Sequence, residues 1–279
     1  MTLPPISTLH LFGPEREALT DLLADLVDDD WYQPTVCEGW NVHDVALHLL
    51  GGDIGLLSGG RDRFRGSPAV PVPPDLSDWN TLVRWIDTRN AVWVDATRRT
   101  SPVLLCELLV FTGQHMAAWL PEVDMDAPGI PVSWAGPDPA PTWLHIAREY
   151  TERWIHQQHI RDAVGRPGFT EPQWLHPVLD TFARALPYTL RDRRRPTGTT
   201  VELRITGPAG GSWRVRKDDD TWAFTDADSS VDTVITIDED TAWRGFTRGL
   251  DIDTIRARTR VEGDREIGDA VIHMVTIIA

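Results

Sequence analysis

The segment 149–165, EYTERWIHQQHIRDAVG, carries acidic and imidazole side chains at helical spacing. Glu149, Glu152, His156 and His159 follow one another at offsets of three, four and three residues. Such offsets stack side chains on one face of a helix. A helix of a soluble protein normally directs apolar residues inward and polar residues outward. The stripe is therefore either an ordinary solvated face or a polar seam turned inward to do chemistry.

Metal binding is the chemistry that these residue types and spacings favour. Glu152 and His156 are four residues apart, and so are Asp44 and His48 on an earlier helical segment. Ligands four apart can point at one ion, and a third ligand from a facing helix leaves a coordination position for water or substrate. Imidazole plus carboxylate suits Zn²⁺ and other divalent metals. The candidate ligand set is His48, Glu152 and His156.

Ordinary structural explanations compete with a metal site. A Glu-x-x-x-His spacing is common by chance and usually faces solvent, and Asp44 with His48 also fits a local helix pair. Around a metal, Asp44 and His159 would be groups that support the ligands or face the substrate. Glu149 can instead form an ion pair with Arg153, four residues further on. The spacing alone leaves these alternatives open.

A series of helical segments is predicted to hold these residues. The helix that carries His48 has Asn41 at its expected N-cap, and the helix that carries the stripe ends at a Gly-then-Pro signal. The Pro-rich segment 67–77 cannot be helical and is expected to be a loop. A stretch over 171–195 is also helical and is expected to break near Pro187. The other predicted helices cover residues 14–30, 41–60, 77–100, 101–120 and 142–165.

The sequence changes character after residue 196. TTVELRITG, GSWRVRKDD and DTVITIDED alternate β-branched and polar residues between Gly and Asp turns, and DTWAF predicts a further short strand. DTAWRGFTRGL and DREIGDAVIHMVTIIA predict helices. The predicted fold class is α+β, with an up-and-down helical bundle over 1–190 and a smaller α+β domain over 197–279. The charged linker at 191–199, RDRRRPTGT, separates the two.

Composition excludes several classes of partner. The chain has 279 residues and a net charge of -15, which argues against nucleic acids and anionic membranes. We find no run of about 18 apolar residues and so expect no membrane span. The N-terminus lacks the charged start and apolar core of a signal peptide. A cytoplasmic protein that binds a small molecule is predicted.

Cysteine and tryptophan are the two residue types whose roles composition leaves open. Cys37 and Cys106 form neither a CxxC pair nor a disulfide framework, so we expect two reduced thiols in a cytosolic protein. The 13 tryptophans are either packing wedges or an aromatic wall around an organic ligand. Trp154 falls on a different helical face from the stripe and is expected to pack.

The segments TVCEGWNVHDVALHLLGGD and AREYTERWIHQQHIRDAVGRPG carry the candidate ligands in a recognisable context. They resemble the signatures of the mycothiol-dependent maleylpyruvate isomerase family, which belongs to the DinB-like superfamily of metal-binding four-helix bundles. The family patterns are Trp-x-x-x-Asp-x-x-x-His on the second helix and Glu-x-x-x-His on a later helix before an Ala-x-Gly-x-Pro end. The C-terminal part resembles the small domain that follows the bundle, itself similar to sterol-carrier domains. The matching positions are Trp40, Asp44, His48, Glu152, His156, Ala163, Gly165 and Pro167.

The resemblance implies a divalent metal, usually zinc, held by His48, Glu152 and His156. The thiol of mycothiol would bind at the open position, where a metal lowers the thiol pKa enough to give thiolate near neutral pH. Such a thiolate can add to a conjugated double bond, allow rotation about it and leave, which gives cis–trans isomerisation. If the adduct is kept, the same chemistry gives a thiol transferase.

The substrate and the remaining site residues do not follow from the resemblance. A dicarboxylate substrate would need cationic groups, for which Arg161, Arg244 and Arg248 are candidates, although a solvated arginine explains each equally well. Three roles are open for His159 at this point: a fourth metal ligand, a general base or a solvent-facing residue. A fourth protein ligand would close the coordination sphere and favour a structural metal. Our candidate catalytic residues are His159 and Arg248.

The sequence thus predicts a metal- and mycothiol-dependent isomerase or S-transferase acting on a small electrophilic metabolite. Two other functions use the same residues. In a metal hydrolase, bound water takes the place of the thiolate, and activity needs no added thiol. In a non-enzymatic small-molecule-binding or zinc-sensing protein, four protein ligands would saturate the metal.

Overall fold

The computed structural model describes residues 3–64, 66, 79–136, 139–226 and 230–275, and the predicted Pro-rich loop at 67–77 lies outside them. The predicted α+β class is confirmed. The chain forms two compact units, each made of segments that are not continuous in sequence. The predicted division into a bundle over 1–190 and a smaller domain over 197–279 stays a prediction. The bundle unit comprises Leu9–Asp124 and Glu152–Gly168, and the sheet unit comprises Met1–Thr8, Met125–Thr151 and Phe169–Ala279.

Helices build the bundle unit around one apolar core. Both α1 and α2 pack on α4, and α2 also packs on α3. The core is made of aliphatic side chains that recur at helical spacing, among them Leu19, Val45, Leu49, Leu105 and Leu109. The bounds are Phe12–Ala24 for α1, Val42–Leu56 for α2, Trp79–Thr97 for α3, Pro102–Trp119 for α4 and Thr142–Ala163 for α5, which enters this unit at Glu152.

Local signals set the ends of α2 and α1. Asn41 is the N-cap of α2 as predicted, because its side chain accepts a hydrogen bond from the Asp44 N–H at 2.9 Å. The backbone continues past α2 into a π-helical turn at Leu57–Arg61. The prediction that the first helix extends to residue 30 is wrong, because the chain forms a 3₁₀ turn at Asp30–Tyr32 after α1 ends.

One helical stretch, Pro102–Glu122, is long and apolar enough to cross a membrane by length and composition. The most apolar 18-residue window of this stretch has a mean hydropathy of 1.4, and 28% of that window is buried. The sequence lacks an unbroken apolar run there because polar residues such as Glu107 and Gln114 interrupt it. A single helix of this kind is weak evidence for a membrane, since core helices of soluble bundles meet the same criteria.

Gly51 of α2 lies under the indole of Trp93, which gives a test of the packing between α2 and α3. The Trp93 indole N–H donates to the Leu47 carbonyl at 2.8 Å. A Cβ on Gly51 would lie 2.5 Å from the indole nitrogen. We expect Gly51→Ala to lower the free energy of unfolding by about 1–3 kcal/mol, because the ring must move and lose its hydrogen bond. Urea unfolding measures the change.

The neighbouring glycine provides the matched control for this substitution. A Cβ on Gly52 would meet nothing within 4 Å. Gly52→Ala is therefore expected to stabilise the helix by about 0.5–1 kcal/mol, since alanine loses less conformational entropy on folding. Equal shifts of the unfolding midpoint for the two variants would show that the Trp93 contact does not contribute to the free energy of unfolding.

The sheet unit contains a five-stranded mixed sheet of order β3-β2-β1-β4-β5. Strand β1 pairs antiparallel with β2 and parallel with β4, and β2 and β4 pair antiparallel with the edge strands. Helix α8 follows β4 directly, and both α8 and α10 pack on β4. The strands are β1 Thr200–Thr206, β2 Gly211–Lys217, β3 Trp222–Phe224, β4 Thr233–Asp238 and β5 Arg260–Glu262.

Five helices join or cover these strands, and some differ from prediction. The helix predicted over 171–195 breaks before Pro187, which lies in the first turn of α7, and regular helix ends at Thr189. The sequence analysis missed α9 and β5, which are short. The helices are α6 Pro172–Ala183, α7 Leu186–Thr189, α8 Glu239–Phe246, α9 Ile252–Arg258 and α10 Arg265–Ile272.

A small cavity lies in the apolar interior of the sheet unit. Its volume is about 10 Å³, enough for roughly one water molecule. A cavity of this size gives no support for lipid binding there. The cavity is lined by Leu203, Ile235, Ile237, Phe246, Ile255, Thr259, Val271 and Ile272.

Candidate metal centre

Two turns of α5 are buried on every face. All residues from 153 to 160 are buried, including both histidines of the stripe. His156 is 2% exposed and His159 is 1% exposed. The polar stripe therefore faces the protein interior and not the solvent. Trp154, which is fully buried, packs in the core as predicted.

His48, Glu152 and His156 bring three donor atoms together. The Glu152 Oε1 atom lies 3.2 Å from His48 Nε2 and 3.3 Å from His156 Nε2. All three atoms lie within 4.8 Å of one another. For bonds of about 2.0–2.1 Å, two donors on a tetrahedral zinc are separated by about 3.4 Å. The three side chains can therefore hold one ion with little rearrangement.

The protonation of the site suits a cation. Burial lowers the pKa of His48, although a hydrogen bond with Glu152 opposes the shift. Burial alone would raise the pKa of Glu152, but hydrogen bonds with His156 and His48 bring it well below its ordinary value. Glu152 is therefore a carboxylate and His48 a neutral imidazole at neutral pH, and these are the forms that bind metals.

Aromatic contacts hold the imidazoles in place. The rings of His48 and His156 meet edge to face with their centroids 4.6 Å apart. Trp40, from the predicted motif, packs on the His48 ring at 5.2 Å. Such contacts restrict ring rotation, so the donor nitrogens keep their direction before any ion binds.

Asp44 lies in the N-terminal cap of α2, and its role around a metal stays a prediction. Its carboxylate accepts hydrogen bonds from Arg98 at 2.8 and 3.1 Å. It also accepts from the backbone N–H of Asn41 at 3.3 Å, which completes the capping box of α2. The Asp44 charge thus stabilises the N-terminus of the helix that carries His48.

A buried ionic network fixes the register of α5 against α2. Asp53 is fully buried and accepts from Arg153 at 2.8 Å and from Arg16 at 2.8 Å. Thr112 donates to the same carboxylate at 2.6 Å. Asp53 lies further along α2 than His48, and Arg153 is adjacent to Glu152 on α5. The contact between Asp53 and Arg153 therefore holds the two ligand-bearing segments in register.

Cys37 is a residue of the site that the sequence analysis missed. Its Sγ lies 3.3 Å from His159 Nδ1 and 3.9 Å from His156 Nδ1. It is only 4% exposed, and burial raises the pKa of the Cys37 thiol to about 11. The available signal was its place three residues before Trp40 within the TVCEGW segment.

The remaining candidates fall in different places. His159 contacts Cys37 in the bundle unit, so its burial excludes the solvent-facing alternative. Arg161 donates to Gln157 at 3.1 Å near the end of α5. Arg248 is exposed, belongs to the sheet unit and has a positive φ of 61°. Its catalytic role stays a prediction.

The open side of the ligand set is at Glu152. Its side chain is 23% exposed, compared with 11% for His48 and 3% for His156. Gly52 and Gly55 lie one and two turns beyond His48 on the same face of α2, and a Cβ on either would meet nothing within 4 Å. Both glycines are exposed, so this face of α2 is open to solvent beyond His48.

The fold and the donor set together define an α+β protein whose helical bundle directs two imidazoles and a carboxylate at a common point. Residues 12–161 match the family model described as mycothiol maleylpyruvate isomerase N-terminal domain, which covers more than half of the 279 residues. The chain belongs to this family, as its two motifs predicted. No functionally curated protein matches the chain at a significant level.

Two solved structures of mycothiol-dependent maleylpyruvate isomerase have the same fold. One has a TM-score of 0.55 at 15% identity and covers 90% of this chain and 94% of that chain. The other, a mutant with alanine in place of a histidine, has a TM-score of 0.54 at 13% identity and covers 89% and 93%. At these identities the likeness establishes the fold.

Proposed function

We propose that this protein is a metal- and mycothiol-dependent isomerase or S-transferase that acts on a small electrophilic metabolite in the cytoplasm. The observation that carries the proposal is the convergence of His48, Glu152 and His156 from α2 and α5. Membership of the family supports the thiol requirement. The donor set supports the metal.

The residues present fit a zinc ion. Two nitrogen donors and one oxygen donor are a common set for catalytic zinc, and three protein ligands leave a coordination position for another molecule. His48, Glu152 and His156 would hold the ion. When bound, it supplies a positive charge that stabilises a thiolate near neutral pH.

The chain's own residues supply orientation and access. Trp40 fixes the His48 ring, and the contact between Asp53 and Arg153 keeps Glu152 facing α2. Burial of His156 excludes water from one side of the donor set, while the more exposed Glu152 leaves the other side accessible. Our proposal keeps His159 and Arg248 as candidate catalytic residues.

Thiol dependence is the first test of this function. We expect zinc-loaded protein to convert maleylpyruvate, used as a probe, to its trans isomer or to a thiol adduct only when mycothiol is added. Chromatography with mass detection measures both products. Glu152→Gln should lower the rate by at least about 100-fold, because loss of a supporting residue beside a metal ligand already costs 10–100-fold.

Asp62→Asn is the control, because it makes the same acid-to-amide change in an exposed pair with Arg61. Turnover of the probe without added thiol would favour a metal hydrolase. A bound metal with four protein ligands and no exchangeable position would favour the binding or sensing protein. Either result would contradict the proposed thiol chemistry.

A further inference from the structure

Cys37, His156 and His159 form a second group of potential ligands beside the first. One potential ligand atom from each residue lies within 4.8 Å of the other two, and all three residues are buried. The two groups share His156 but use opposite nitrogens of its ring, since Nε2 faces Glu152 and Nδ1 faces Cys37. The bundle unit thus offers one donor set of nitrogen and oxygen and another of nitrogen and sulfur.

We propose that Cys37, His156 and His159 bind a thiophilic divalent cation such as Zn²⁺ or Cd²⁺. This sulfur-containing set competes with His48, Glu152 and His156 for one ion per chain. Thiolate and imidazole are ligands that zinc and softer metals prefer, whereas a carboxylate suits harder ions. The inference goes beyond the proposed function, which needs only the nitrogen–oxygen set.

The separations of the donor atoms fit a tetrahedral ion. With a zinc–sulfur bond of about 2.3 Å and a zinc–nitrogen bond of about 2.0–2.1 Å, sulfur and nitrogen are separated by about 3.6 Å. The distances from Cys37 Sγ to the two histidine nitrogens, 3.3 and 3.9 Å, lie on either side of this value. Shifts of a few tenths of an ångström would suffice to bind the ion.

The loop that holds Cys37 is itself well ordered by hydrogen bonds. The Cys37 N–H donates to Thr35 Oγ1 at 3.2 Å, and the Cys37 carbonyl accepts from the Trp40 N–H at 3.0 Å. The Thr35 N–H donates to the Trp40 carbonyl at 3.0 Å, and Gly39 takes the left-handed φ of 78° that the turn requires. The sulfur is thus directed inward by its own backbone.

Competition between the two sets follows from the chemistry of imidazole. A neutral imidazole has one nitrogen that accepts and one that carries a proton, so His156 can bind metal through only one nitrogen at a time. An ion on Nδ1 belongs to the sulfur-containing set, and an ion on Nε2 belongs to the set with Glu152. Removal of Glu152 should therefore confine the ion to Cys37, and removal of Cys37 should confine it to Glu152.

Cobalt(II) spectroscopy of the full-length protein tests this inference without an activity assay. We expect metal-free wild-type protein to bind one Co²⁺ and to show the near-ultraviolet charge-transfer band of a cobalt–thiolate bond. Cys106→Ser, the matched control at the other cysteine, should keep the band. Cys37→Ser should lose it but retain Co²⁺ absorption in the visible region, and Glu152→Gln should keep or strengthen it.

A second variant covers the case in which Cys37→Ser fails to fold. His159→Gln should keep the fold. The Co²⁺ affinity measured from the thiolate band should fall by about tenfold or more, because one donor is removed. Co²⁺ binding by the wild type without a thiolate band, or loss of the band only in Cys106→Ser, would overturn the inference and leave the proposed function standing. Failure of the wild type to bind Co²⁺ would contradict both.

Discussion

His156→Ala is expected to abolish the rise in melting temperature that Zn²⁺ gives to metal-free protein. Among the described residues, His156 is the member common to the two candidate ligand sets. Its removal therefore leaves neither set with three donors. Glu152→Gln would be a weaker test, because the sulfur-containing set would remain.

The size of the effect follows from mass action. A ligand at about 100 times its Kd stabilises the folded state by about 2.7 kcal/mol if it does not bind the unfolded chain. For a chain of this length, that free energy corresponds to a rise of about 5–10 °C. Differential scanning calorimetry of the metal-free protein, with and without added Zn²⁺, measures the rise in the wild type and in the variant.

His273→Ala is the control for loss of a histidine that is not in the site. His273 is exposed, and its ring contacts the Asp269 carbonyl of its own helix at 2.8 Å. This variant should show the same rise as the wild type. An undiminished rise in His156→Ala would mean that Zn²⁺ stabilises the protein elsewhere, and the candidate metal centre would have to be abandoned.

The ligand-bearing helices could be predicted because their signals are local. Asn41 before an apolar run marks the start of α2, and Gly165 with a φ of 64° marks the end of α5. Within each helix, a spacing of four residues is enough to place two side chains on one face. The convergence of His48 on Glu152 came from the family resemblance, because the spacing within one helix carries no information about its neighbour.

The parts that were missed depend on contacts between distant residues. Cys37 lies in a loop before α2, and only the folding of this 35–40 loop toward α5 brings its sulfur to His159. Strand β5 has three residues and exists because it pairs with β4. A continuous helix such as α5 gives no local sign that its two halves belong to different compact units.

Asp53 illustrates the same limit, because an aspartate in an apolar helix gives no indication of its partners. The structure surrounds it with Arg16, Arg153 and Thr112, all of which donate to its carboxylate. Arg153 also lies over the Phe12 ring at 5.5 Å. The carboxylate thus joins α1, α2, α4 and α5 at one fully buried point.

Asp53→Asn is expected to lower the free energy of unfolding of metal-free protein by about 3 kcal/mol. Removal of one partner from a buried ionic network costs about 3–5 kcal/mol, because the remaining charges stay buried without compensation. The lower end applies since the amide oxygen of asparagine can still accept hydrogen bonds from these donors. Denaturant unfolding with an unchanged m-value measures the loss.

Metal affinity should fall together with stability in Asp53→Asn, because Arg153 helps to hold Glu152 opposite His48. We expect Zn²⁺ to bind about 10–100-fold more weakly, as for other residues that orient ligands from behind. Asp62→Asn is the control, because it makes the same chemical change in an exposed ion pair. The side chains of that pair are 34% exposed for Arg61 and 50% for Asp62, so this variant should alter neither the stability nor the metal affinity. If Asp53→Asn binds Zn²⁺ more weakly but is as stable as the wild type, the carboxylate orients the ligands without contributing to the free energy of unfolding. If the variant is destabilised but binds Zn²⁺ with unchanged affinity, the register of α2 and α5 does not depend on this carboxylate.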